Sequence, residues 1–130
     1  MYASNFQKDL KASQPFVDWI AKKLRNAGWE VRLSNGAAFD IYAFRFEQGK
    51  LHEITIECKC QHKLPLTGNH FIETKAIHDT QADLWATGVI GDAYLLKTQT
   101  AKQLYQQYPK KQGGEQSGCT TMERWCLIKH

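Results

Sequence analysis

The chain has 130 residues, 42% of them hydrophobic and 12% aromatic, enough for one ordinary core and one domain over residues 1–130. No apolar run approaches the ~20 residues that cross a bilayer, and the polar start MYASNFQKDLKASQ is unlike a signal peptide. A cytoplasmic protein with reduced thiols and no membrane partner is expected, and its formal net charge of +4 is too mild to name a polyanionic partner by itself.

Ser4 to Asn26 reads as a helix, with Ser4 and Gln7 in a capping-box pattern and Phe6, Leu10, Val17, Ile20, Ala21, Leu24 and Ala27 at helical spacing. Pro15 is expected to kink it or to start a second helix with Ser13 as N-cap. Lys22, Lys23 and Arg25 suit the C-terminal end, and Gly28 the position just past it. Trp29 to Ser34 alternates as a strand, NGAA turns, and Phe39 to Phe46 is a strong strand. EQGK is a hairpin turn, and LHEITIECKC pairs antiparallel with the preceding strand. QHKLPLTGNH is a loop broken by Pro65 and Gly68, and FIETKAIH a short strand or loop. DTQADLWAT reads as a helix capped by Asp79 or Thr80 and ended by Gly88, and VIGDAYLLKT as one buried strand. TAKQLYQQYPK is a helix capped by Thr98 or Thr100 and stopped by Pro109, KKQGGEQSGCTT a Gly-rich loop, and ERWCLIKH a last strand. The expected fold is α/β, in the order α-β-β-β-α-β-α-β, with a central mixed sheet flanked by helices.

Chemistry concentrates in ITIECKC. On a strand Ile54, Ile56, Cys58 and Cys60 share one face, and Thr55, Glu57 and Lys59 the other. An acid and a base side by side on so apolar a strand are either ordinary solvated charges on an outward face or partners in a site. The preceding strand carries its own acid, Asp40, among Phe39, Ile41, Tyr42 and Phe44. If the two strands form a hairpin, Asp40 and Glu57 meet on one face. Two carboxylates suit Mg²⁺, which completes its shell with water and substrate phosphate, and Mn²⁺ is expected to substitute. Lys59 beside them suits orienting a water or neutralising charge at a phosphate in its transition state.

Asp40, sixteen intervening residues, then Glu57-Cys58-Lys59 in a strand behind an N-terminal helix resembles the PD-(D/E)XK nuclease superfamily. The likeness covers about Phe6 to Leu96, and Phe39 stands where the motif has its proline. TGNHFIE (Thr67–Glu73) and TQADLW (Thr80–Trp85) are similar to segments of small phage-type nucleases of that superfamily. The resemblance implies a restriction endonuclease-like core and a metal-dependent endonuclease acting on DNA, with branched or otherwise structured DNA among the expected substrates. It implies Asp40 and Glu57 as Mg²⁺ ligands and Lys59 as the residue assisting water. It also suggests an auxiliary acid, for which Glu73, Asp18 and Asp9 are candidates. A homodimer would let two sites cut two strands.

Three other readings compete. The same fold can serve as a catalytically inactive nucleic-acid-binding module. Glu73-Thr74-Lys75 is a second E-x-K. Cys58, Cys60 and His62 form a candidate zinc set, against which stands the ordinary role of cysteine as a small buried hydrophobe. Phosphate contacts are expected from His62 and Lys63 after the Glu57 strand, from Lys22 and Lys23, and from Lys110 and Lys111. Trp19, Trp29 and Trp85 read as core residues rather than stacking platforms.

Overall fold

The computed structural model describes residues 2–34, 38–61, 70–107, 116–119 and 126–129. The chain begins with helix α1, Tyr2–Asn26, a single helix of 25 residues that runs through Pro15. No second helix starts at Pro15, and after it Phe16, Ile20, Ala21 and Leu24 seat a continuous stripe on the sheet. Packing outweighs the hydrogen bond that proline removes. The helix ends as read. Trp29 N donates to Leu24 O and Gly28 N to Arg25 O, both at 3.0 Å, with Gly28 at φ 99°. This is the paired closure that a left-handed glycine allows.

Three strands follow: β1 Glu30–Leu33, β2 Ile41–Glu47 and β3 Lys50–Cys60. All neighbours among them are antiparallel. The Gln48–Gly49 turn, with both φ angles positive, joins β2 to β3 in the twist that suits a two-residue hairpin. Next come β4 His70–Glu73 and the short helix α2 Thr74–Asp79. Then come β5 Leu84–Val89 and β6 Asp92–Lys97. Helix α3 Thr98–Gln107, β7 Gln116–Cys119 and β8 Cys126–Lys129 complete the order.

The main sheet has six strands in the order β1-β2-β3-β5-β6-β8, and β4 pairs with β7 in a separate two-stranded sheet. Every pair in the main sheet is antiparallel except β3 with β5. One face is covered by α1, whose stripe packs on Ile41, Ala43, Ile56, Cys58, Ala86 and Ala93. The other face carries a second core, in which Ile72, Ile77, Ala101, Leu104 and Tyr105 close over Trp85 and Leu96.

The fold class is the expected one, and four elements differ from the expected order. The helix read in DTQADLWAT is strand β5, and the helix lies earlier, at Thr74–Asp79. FIETKAIH is strand and helix in succession. VIGDAYLLKT is two strands joined at Ile90–Gly91, and part of the Gly-rich loop is β7. The cause at β5 is burial on both sides. Trp85, Ala86 and Thr87 are all buried, so the run lacks the alternation that marks a half-exposed strand.

Gly88 shows how tightly the β5–β6 hairpin is built. Its φ is 147°, and a Cβ there would lie 2.4 Å from Asp92 O and 2.6 Å from Ala93 Cα. Both obstacles are backbone and cannot swing away. Gly88→Ala is expected to destabilise the fold by roughly 2 kcal/mol or more, from strain and overpacking together. A urea titration followed by circular dichroism measures it, and an unchanged midpoint would contradict this account.

Candidate active site

The hairpin register places Ile41 opposite Ile56, so Asp40 stands opposite Glu57 one step beyond the last paired residues. Asp40 is where β2 yields to irregular chain, and its backbone is held on both sides. Its N–H donates to Ile56 O at 2.9 Å, and its carbonyl accepts from Ser34 N at 2.8 Å. Its side chain then takes over the ladder, with Oδ2 accepting from Cys58 N at 2.8 Å. The carboxylate thereby satisfies a strand amide, which fixes its orientation.

Asp40, just outside β2, directs its carboxylate to Cys58 N, while Ile56 faces α1, so Glu57, next to it on β3, faces the opposite side of the sheet. Glu57 and Lys59 are adjacent there, with Lys59 Nζ 3.3 Å from Glu57 Oε2. Their side chains are 13% and 25% exposed, so the pair is sheltered yet open to an approaching ligand. Parallel pairing sets Trp85 beside Glu57 and Thr87 beside Lys59. Lys59 Nζ lies 6.0 Å from the Trp85 ring centroid.

The polar row along β3 is anchored at both ends. Asp83 Oδ2 accepts from Thr55 N at 3.0 Å and from Thr55 Oγ1 at 3.2 Å, and Thr55 Oγ1 also accepts from Asp83 N at 3.0 Å. At the other end Gln61 Nε2 donates to Thr87 Oγ1 at 3.0 Å, and both residues are buried. These bonds lock β5 to β3 on either side of Glu57 and Lys59. The partner of Asp83 is 28 residues away along the chain. Nothing local signals that pairing.

The two carboxylates act on a common neighbour. Burial pushes the Cys58 thiol up, and the charges of Asp40 and then Glu57 push it further. Cys58 therefore stays a neutral thiol inside the α1 core, where Cys60 packs beside it. Both cysteines thus pack as the small hydrophobes that the residues also allowed, and His62, the third member of the candidate zinc set, lies outside the described residues.

The other candidates divide. Asp18 lies on α1, exposed, and accepts from Gln14 Nε2 at 3.1 Å. Lys22 and Lys23 lie on the same helix, and Lys23 Nζ sits 5.7 Å from the Trp19 ring centroid. Helix α1 covers the face opposite to Glu57, so these three are not brought to Asp40 and Glu57. The backbone of Asp9 also belongs to α1. Glu73 ends β4 in the small sheet, while Thr74 and Lys75 begin α2. The second E-x-K thus straddles two elements and shares no strand pair with Asp40. The side chains of Asp9 and Glu73, and His62, Lys63, Lys110 and Lys111 altogether, lie outside the described residues. Trp85 is fully buried, as read, whereas Trp19 and Trp29 are only partly buried.

Among the described residues no group of three or more His, Cys, Asp or Glu could hold a metal. A two-carboxylate site needs no third, because Mg²⁺ keeps several waters and takes substrate phosphate. Asp40 and Glu57, opposite one another at the end of the hairpin register, with Asp40 held by Cys58 N, are of the kind that donor set needs.

A mixed sheet with helices on both faces, and an acid-bearing hairpin beside a parallel strand, is a restriction-endonuclease-like fold. The structure of Hjc from Archaeoglobus fulgidus, a Holliday junction resolvase from an archaeal hyperthermophile, is similar to it at a TM-score of 0.52 and 14% identity over 82% of each chain. At that identity the likeness speaks for the fold. No protein-family model and no curated protein sequence matches the chain. No helix among the described residues is long and apolar enough to cross a membrane.

Proposed function

We propose that this protein is a metal-dependent endonuclease of the PD-(D/E)XK type, hydrolysing phosphodiester bonds in branched DNA. What supports this reading is the hairpin register that sets Asp40 opposite Glu57, with Lys59 Nζ 3.3 Å from Glu57 Oε2. The likeness in fold to a Holliday junction resolvase favours a junction over plain duplex.

Asp40 and Glu57 would hold Mg²⁺, with Mn²⁺ able to substitute. When bound, the ion lowers the pKa of a coordinated water and polarises a phosphoryl oxygen. The chain's own residues do the rest. Asp40 keeps its orientation through Cys58 N, so little reorganisation is needed as a ligand arrives. Lys59 supplies a positive charge where the phosphate gains negative charge, and a donor to orient the attacking water. The Thr55–Asp83 and Gln61–Thr87 bonds hold the row rigid beneath the substrate. A homodimer would present two such sites to the two strands of a junction.

The test is cleavage of a labelled panel with Mg²⁺, Mn²⁺ or EDTA: supercoiled, linear, single-stranded and four-way-junction DNA, and RNA. Glu57→Ala and Lys59→Ala control for contaminating nuclease. Metal-dependent cutting of the junction above the linear duplex, lost in both variants, is the expected result. Junction binding without cutting, unchanged in Glu57→Ala, would replace the nuclease by an inert binding module.

A further inference from the structure

We propose that Trp85 is a positioning residue: its indole face holds the Lys59 ammonium beside Asp40 and Glu57 when the Glu57 carboxylate is engaged by a cation. What Lys59 does there rests on the nuclease reading above. Where Lys59 sits rests on geometry alone.

Lys59 has two anchors. One is Glu57 Oε2, at 3.3 Å. The other is the Trp85 ring, at 6.0 Å from Nζ to the centroid, within the reach of cation–π attraction. Glu57 and Trp85 are register partners on β3 and β5, so the two anchors flank the ammonium from adjoining strands. They differ in what happens when a divalent cation arrives. The cation competes with the ammonium for the oxygens of Glu57 and repels it. An indole face neither titrates nor serves as a ligand to a hard cation, so its attraction persists. Without it, a lysine has four flexible torsions and every reason to swing into solvent.

A second observation makes the ring more than filler. Trp85 is fully buried, and among the described residues its Nε1 has no hydrogen-bond partner. A buried donor left unmet is costly and uncommon. Trp85 shares its core cluster with Ile72, Ile77, Leu96 and Tyr105, and a leucine or phenylalanine could complete such a cluster without that cost. What the indole adds is the aromatic face that attracts cations most strongly. Accepting an unsatisfied donor to keep that face is expected where function overrides stability.

The experiment labels lysine with ¹³C at the ε position and assigns Lys59 through Lys59→Arg. Protons over a ring face are shifted upfield. The ε protons of Lys59 are expected upfield of the exposed lysines in the wild type, and to remain there on addition of Mg²⁺. The shift should weaken in W85F and vanish in W85L. In single-turnover junction cleavage W85L is expected to slow by about two- to thirty-fold at unchanged junction affinity, with W85F losing less. An unshifted Lys59 in the wild type, a shift that Mg²⁺ abolishes, or W85L cutting at the wild-type rate would each overturn the role of Trp85. Should W85L fail to fold, the wild-type spectra and W85F decide. A wild type that shows the Mg²⁺-stable shift but cuts nothing would sink the nuclease reading while supporting the hold of Trp85 on Lys59.

Discussion

Lys59→Met is expected to reduce junction cleavage by on the order of 10²–10⁴-fold, the range for losing a positioned proton-transfer or charge-stabilising group. Methionine keeps a comparable unbranched, flexible side chain over Trp85 and removes only the charge and its donors. The Glu57 carboxylate loses the ammonium at 3.3 Å. That pair is partly open to solvent, so its screened contribution to stability is no more than about 1 kcal/mol. Metal and junction binding should survive, since neither carboxylate is touched. Single-turnover kinetics at saturating protein, with fluorescence anisotropy for binding, separate the two effects. Cleavage within about threefold of wild type would remove Lys59 from the chemistry.

The second large effect is expected at Asp40, where two substitutions part company. Asp40→Asn keeps a side-chain oxygen able to accept from Cys58 N, which now bonds Asp40 Oδ2 at 2.8 Å. Asp40→Ala leaves that amide, part-buried at a strand end, without an acceptor. The alanine variant should therefore be less stable by about 1–3 kcal/mol, and the asparagine variant by less. Both should lose cleavage by at least about 100-fold, because both remove a negative charge from the face that would hold the cation. Isothermal titration with Mg²⁺ and Mn²⁺ gives a readout independent of catalysis. Asp40→Asn binding and cutting as the wild type does would move the cation away from this hairpin. Equal stability of the two variants would mean the Cys58 bond contributes little.

The apparent conflict between metal binding and the Glu57–Lys59 ion pair has a physical resolution. In the absence of a cation a carboxylate on a sheltered sheet face is best satisfied by the nearest ammonium. On the proposed reading a divalent cation would displace that contact and leave the ammonium to a phosphate. The pair would then be the resting arrangement of such a site.

Much of this was legible in the residues themselves. The two-residue period placed Glu57 with Lys59, away from Ile56 and Cys58, and β3 has that arrangement. EQGK marked the hairpin, and the hairpin register then put Asp40 opposite Glu57. The basic end of α1 and Gly28 beyond it marked where that helix stops. Each of these depends on neighbours a few positions apart along the chain, where side-chain direction and turn chemistry act without reference to the rest of the fold. The identity of β5 does not. LWATGV is buried on both faces between β3 and β6, so the polar alternation that would reveal a strand has no solvent to produce it. The placement of β5 parallel to β3 comes after a long connection. That placement alone set Trp85 under Lys59, Asp83 on Thr55 and Thr87 on Gln61. The sequence by itself determined which acid and base would share a face. Only the tertiary structure decided what lies beside them, because a parallel strand's neighbours are chosen by two packed cores and not by its own pattern.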